Sequence, residues 1–130
     1  MTLPGWLTPD EVIQQFTRSD IYFSPSRSEG LPVVGVQALA LGLAIIASQV
    51  GGWIDLVDSG QNGYLVDPNN TQGFAQAMRG LISDPQKLVA FRRASRAKAE
   101  HFDLPTIADR YERIYHAVST KRTKQPGIAA

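Results

Sequence analysis

The residues best placed to do chemistry lie between a short β-rich run and an apolar helix. Pro25-Ser26-Arg27-Ser28-Glu29-Gly30-Leu31-Pro32-Val33-Val34 reads as a loop that feeds a helix start. A helix start offers backbone N–H groups without intrahelical partners and the positive end of the dipole, which together suit an anion. Gly30 lets the backbone come close to a ligand, and Pro32 gives up a donor that the first turn would not use. Glu29 hangs a carboxylate at the lip. The combination fits a ligand with a phosphate and several hydroxyls. The plainer reading keeps Glu29 as a surface acid and Pro32 as a simple helix start, since such turns are common at the top of a parallel sheet.

Gln37 is the second informative residue. It interrupts a helix otherwise made of Val, Leu, Ala and Gly, so the pattern predicts a buried amide. A buried amide must be partnered or costs about 1–3 kcal/mol. It stands about 7.5 Å along the axis from Pro32, within reach of a sugar hydroxyl on a ligand whose phosphate sits at the helix start. A backbone carbonyl or a water would satisfy it equally well.

Composition removes many other chemistries. The 130 residues contain no Cys and two His, which excludes disulfide scaffolds, thiolate nucleophiles and Cys-based zinc sites, and leaves little for a His-based centre. No metal site is expected. Thirteen Lys and Arg against twelve Asp and Glu give a net charge of +1, too small for a generic grip on nucleic acid. The first residues show no basic and apolar leader, so a cytoplasmic location is expected, with peripheral membrane association of a full enzyme left open. Gly30 to Ala47 is long enough to test as a span. Pro32, Gly35 and Gly42 punctuate it, and a buried helix followed by a buried strand accounts for the same residues; the chain is expected not to cross a membrane.

The elements that must position these residues follow from caps and periodicity. Thr8-Pro9-Asp10-Glu11 predicts a capping box and a helix to about Arg18. Strands are expected at Ile21–Phe23, Leu43–Ala47 and Gly63–Val66, with a fourth candidate at Leu3–Leu7. Helices are expected from Pro32 to Leu41, Trp53 to Asp58, Thr71 to Ile82, Pro85 to about Glu100, and Pro105 to Val118. Residues 119–130 read as a loose tail. Short apolar strands alternating with helices specify a parallel α/β sheet. Three or four strands are few for a doubly wound domain, so residues 1–118 look like part of one. An unpaired edge would offer a route to a homodimer.

The ordered segments Pro25–Pro32, Gln37-Ala38-Leu39-Ala40-Leu41-Gly42, Ile45–Ser48, Gly51-Gly52 and Gly60-Gln61-Asn62-Gly63-Tyr64-Leu65-Val66 resemble the C-terminal, donor-binding half of the retaining glycosyltransferases of GT-B fold, group 1 or family 4. The resemblance covers most of residues 5 to 118. It implies a Rossmann-like sheet, a nucleoside-diphosphate sugar as donor, an unknown acceptor, and no cofactor or obligatory metal. It implies donor-binding roles for Glu29, near the transferred sugar, and for the backbone at Gly30, Leu31, Val33 and Val34. The family carries a second glutamate, for the nucleotide ribose, where this chain has Gln37. An amide offers one accepting oxygen where a carboxylate offers two with charge. Asp55 stands near a family glutamate and equally suits a helix start. The family's phosphate-binding basic pair comes from an upstream half with no counterpart before residue 18, and Arg27 reads as a solvated loop charge. The chain by itself is therefore expected to be inactive. Two alternatives stay open: a non-catalytic, truncated or recombined relative that binds a nucleotide or self-associates, and a phosphate-binding domain for another nucleotide on a flavodoxin-like sheet.

Overall fold

The structure is a computed structural model that describes residues 4–122. α1 (Pro9–Thr17) opens on the expected capping box: Thr8 Oγ1 accepts from the Glu11 N–H, and the Thr8 N–H donates to Glu11 Oε2 at 2.7 Å. The chain then alternates β1 (Ile21–Ser24), α2 (Val33–Ala40), β2 (Ala44–Ser48), α3 (Trp53–Leu56), β3 (Gly63–Val66), α4 (Thr71–Ile82) and α5 (Pro85–Ala99). A 3-10 turn, Glu100–Phe102, and α6 (Leu104–Arg122) follow. Contacts divide the chain into two compact units, Met1–Ala99 and Glu100–Ala130.

In the first unit the sheet order is β1-β2-β3, parallel throughout, with Ile21 opposite Ala44 and Ile45 opposite Gly63. This is the parallel α/β arrangement that the alternation of elements specifies. Among the described residues the sheet has three strands; residues 4–7 form none, so the fourth strand suggested for Leu3–Leu7 is not there. Every residue of β2 is buried, as a central parallel strand covered on both faces requires. Ala44 and Ile46 join Phe74, Leu81 and Phe91 in one core layer. On the other face Tyr22 packs on Trp53 with ring centroids 5.7 Å apart, and a side chain on Gly35 would overlap Trp53 and Leu56. Trp53 is fully buried and Trp6 fully exposed.

α5 ties the sheet together through every third residue. Arg92 Nε donates to the Gly42 carbonyl at 2.8 Å, and its Nη1 pairs with Asp20. Ser95 Oγ donates to the Leu43 carbonyl at 2.7 Å. Lys98 Nζ pairs with Asp58 at 2.9 Å. The three side chains reach segments that precede β1, β2 and β3 respectively.

In the second unit Asp103 Oδ1 accepts from the Thr106 N–H at 2.9 Å and starts α6. Hydrogen bonding with the Thr106 side chain first, and with its N–H second, holds the Asp103 carboxyl below its ordinary pKa. α6 continues to Arg122, past Val118, so residues 119–122 are helical where the sequence suggests a loose tail; residues 123–130 lie outside the described residues. Tyr111, Ile114, Tyr115 and Val118 on this helix are exposed. Among the described residues no helix is long and apolar enough to cross a membrane.

Candidate functional site

Parallel strands point their carboxyl ends to one side, and the two loops that leave β1 and β2 meet there. β1 ends at Ser24, and the loop 25–32 carries Glu29, Gly30 and Leu31 to the start of α2. β2 ends at Ser48, and the loop 49–52 carries Gly51 and Gly52 to α3. The loops are locked to each other through backbone. The Gly52 N–H donates to the Gly30 carbonyl at 2.9 Å. A side chain on Gly51 would collide with the Glu29 carbonyl, and one on Gly52 would fall 2.6 Å from the Leu31 Cα. Gly51 also adopts φ +49°, a region that L side chains rarely occupy. The double glycine is therefore the seat on which the Glu29–Leu31 backbone rests.

The Glu29 carboxylate is half-buried and held from below. Ser26 Oγ donates to Glu29 Oε1 at 2.8 Å, and Ser24 Oγ lies 3.0 Å from Ser26 Oγ. Tyr22 stands beside this chain of hydroxyls. Its hydroxyl pKa is pushed up, first by burial and then by the Glu29 charge, while a hydrogen bond with Ser24 offsets part of the rise. A tyrosine, two serines and a carboxylate thus form one polar run from the sheet to the lip. The sequence singled out only its last member. The pair Tyr22 and Ser24 was the available signal, since alternate residues of a strand share a face; Ser26 lies in the loop beyond β1.

The helix start is an open shelf. Pro32 is the N-cap of α2, one position earlier than the helical position the sequence suggests, so the first turn presents the N–H groups of Val33 and Val34. Those groups have no partner available within a helix. Gly30, Leu31 and Val33 are exposed, and Val34 is half-buried. Gln37 follows Val33 by one turn, on the same outer face, and is exposed. The expected buried amide is thus wrong about burial. α2 is apolar nearly all round, so its periodicity names no outer face, and the core claims Gly35, Ala38 and Leu39 instead. Among the described residues the Gln37 amide has no hydrogen-bond partner in the chain and stays open to a ligand.

Asp55 lies in the first turn of α3 and is exposed, and Arg27 is an exposed loop cation. Ser48, at the carboxyl end of β2, is fully buried, and its hydroxyl has no partner among the described residues. No group of three or more His, Cys, Asp or Glu placed to hold a metal ion occurs among the described residues.

Known proteins give this geometry a context. Residues 1–98 match the family model described as Glycosyl transferases group 1. A D-inositol 3-phosphate glycosyltransferase of Rhodococcus opacus (strain B4) is 37% identical over 101 residues, which is 78% of this chain and 23% of that protein. The chain thus spans about a quarter of that relative's length. The fold matches sucrose-phosphate synthase from Thermosynechococcus elongatus with a TM-score of 0.79 over 92% of this chain and 30% of that one, at 23% identity. It matches Anabaena HepE, solved in complex with UDP, with a TM-score of 0.72 at 29% identity over 82% of this chain and 29% of that one. HepE has also been solved in complex with UDP-glucose.

Proposed function

Because the chain belongs to the group 1 glycosyl transferases, we propose that the shelf formed by Glu29 and the backbone of Gly30, Leu31, Val33 and Val34 binds a nucleoside-diphosphate sugar. The observation that carries this reading is the interlock of the two loops. It fixes a carboxylate and a set of N–H groups at the carboxyl ends of parallel strands, where such sheets bind ligands. The UDP and UDP-glucose complexes of HepE support the ligand class. The diphosphate lies against the first turn of α2, where the N–H groups and the dipole favour its charge. Glu29, oriented by Ser26, accepts hydrogen bonds from the hydroxyls of the sugar. Gln37 faces the ribose with one accepting oxygen.

In the full enzyme the sugar passes to an acceptor with retention of anomeric configuration. Positioning the donor and stabilising the departing diphosphate carry the rate. The chain by itself transfers no sugar, because it spans about a quarter of its relative. Detectable transfer by the purified chain would refute that statement.

The test is a thermal-shift titration with UDP, GDP and ADP, each with and without an attached sugar. A saturable rise with one of them is expected, because a ligand that binds only the folded state raises the melting temperature. No shift with any of them, on a folded sample, would overturn the shelf as a donor site in this chain.

Gln37 favours a second reading, a non-catalytic relative that still holds a nucleotide or associates with itself. Gln37→Glu separates the two. A working ribose clamp gains charge-assisted acceptance, so the variant binds nucleotide more tightly, by about threefold to tenfold. Unchanged affinity would mean that Gln37 does not touch the ribose.

A further inference from the structure

A groove lies at the opposite end of the strands from the loops that carry Glu29 and Gly51. Val89, Arg92, Arg93 and Arg96 share one face of α5, at the three- and four-residue spacing of helix neighbours. Together with Gly42 they line an open groove of about 220 Å³. The groove stands at the amino ends of the strands: Asp20 directly precedes β1, and Gly42 and Leu43 precede β2.

One of its cations is held in place. Arg92 is fixed by the Gly42 carbonyl and by Asp20, and its Nη2 has no partner among the described residues. The Arg96 stem lies over Gly42: a side chain there would fall 2.6 Å from Arg96 Nε and 3.1 Å from its Cγ. Gly42 has φ +74°, so the bare backbone that Arg96 covers is a requirement of the turn itself. Arg93 is exposed. Neither Arg93 nor Arg96 forms an ion pair among the described residues. One carboxylate, Asp20, offsets the three guanidinium groups, and α5 contains no acidic residue. Val89 supplies an exposed apolar flank.

We propose that this groove binds the dianionic head of a phosphate monoester. Guanidinium groups match phosphate oxygens through paired, planar hydrogen bonds and are weakly hydrated, which makes them better suited to this task than lysines. Arg92, already held by Gly42 and Asp20, is pre-positioned, which reduces the ordering cost of binding. The groove leaves room beside the phosphate for a small carbon body against Val89. The same chemistry is presented by a free phosphorylated small molecule and by a phospholipid whose headgroup ends in a phosphate.

The full chain would be titrated calorimetrically with inorganic phosphate and with glycerol phosphate, and sedimented with phosphatidylcholine vesicles with and without phosphatidic acid. Saturable binding in either arm supports the site, and the arm that responds names the source. Arg93→Gln combined with Arg96→Gln weakens it about tenfold or more. Val89→Asp, which adds a carboxylate to the groove, abolishes it. Lys87→Gln combined with Arg79→Gln removes the same charge outside the groove and leaves binding unchanged. Saturating UDP also leaves it unchanged. Absence of binding in both arms would overturn the proposal. So would equal loss in the two double variants, or competition by UDP, which would place the phosphate on the donor shelf.

Discussion

Among the described residues two serines are fully buried, and their hydroxyls have opposite fates. Ser95 Oγ donates to the Leu43 carbonyl; Ser48 Oγ has no partner among the described residues. Removing a satisfied buried hydroxyl costs about 1–2 kcal/mol, whereas removing an orphan relieves a desolvation penalty of about the same size. Ser95→Ala should therefore lower stability by about that amount, while Ser48→Ala leaves it unchanged or raises it; urea unfolding of the two variants checks the pair. Tyr22 makes the residue-scale prediction in pH. Its pKa is raised in the folded state, so its contribution to stability is complete below the ordinary tyrosine pKa, near about 10. That contribution is lost as pH rises toward and through the raised value. Tyr22 should form tyrosinate above the ordinary tyrosine range. Tyr22→Phe should remove that late step from an absorbance titration and shift alkaline unfolding to higher pH.

At the scale of elements, the reading from sequence succeeded where the signal was local. Thr8 and Glu11 lie within one turn, so their capping box was legible. Gly63–Val66 and Thr71–Ile82 were legible to the residue, because turn residues bracket the first and one apolar face marks the second. What was not legible depends on contacts distant in sequence. Nothing local to Gln37 says which face of α2 the core covers. The grip of Arg92 on Asp20 and Gly42 joins positions far apart along the chain. The role of Gly51 also appears only when the loops after β1 and β2 meet. Gly51→Ala must displace the Glu29 carbonyl and hold a left-handed backbone, which alone costs about 1–2 kcal/mol. The expected result is a drop in melting temperature together with loss of any UDP-induced shift. A variant that keeps its full UDP shift would show that the shelf does not rest on this seat.

For the whole molecule, the alternation of elements already specified a parallel α/β sheet, and the ordered segments from Pro25 to Val66 carried the resemblance to the group 1 glycosyl transferases, to which the chain belongs. The unequal burial of the three strands was less visible, because β1 and β3 read much like β2 in sequence. β2 alone is paired on both sides and buried along its whole length. Its amides should be the slowest in the chain to exchange with deuterium, opening only when the first unit unfolds as a whole. Fast exchange at Ile45 and Ile46 beside slow exchange in α4 would contradict that expectation.

The strap formed by α5 carries a consequence in time. Its bonds to Gly42 and Leu43 span 50 and 52 residues of chain, and its pair with Asp20 spans 72. The Gly42 and Leu43 carbonyls before β2 and the Asp20 carboxylate before β1 thus wait for partners that a ribosome makes much later. Contacts of such long range slow folding, since the loop must close before the contact can form. Until α5 has emerged, the growing chain holds a sheet whose Ala44 and Ile46 face lacks the cover of Phe91, the interval in which it most needs a chaperone.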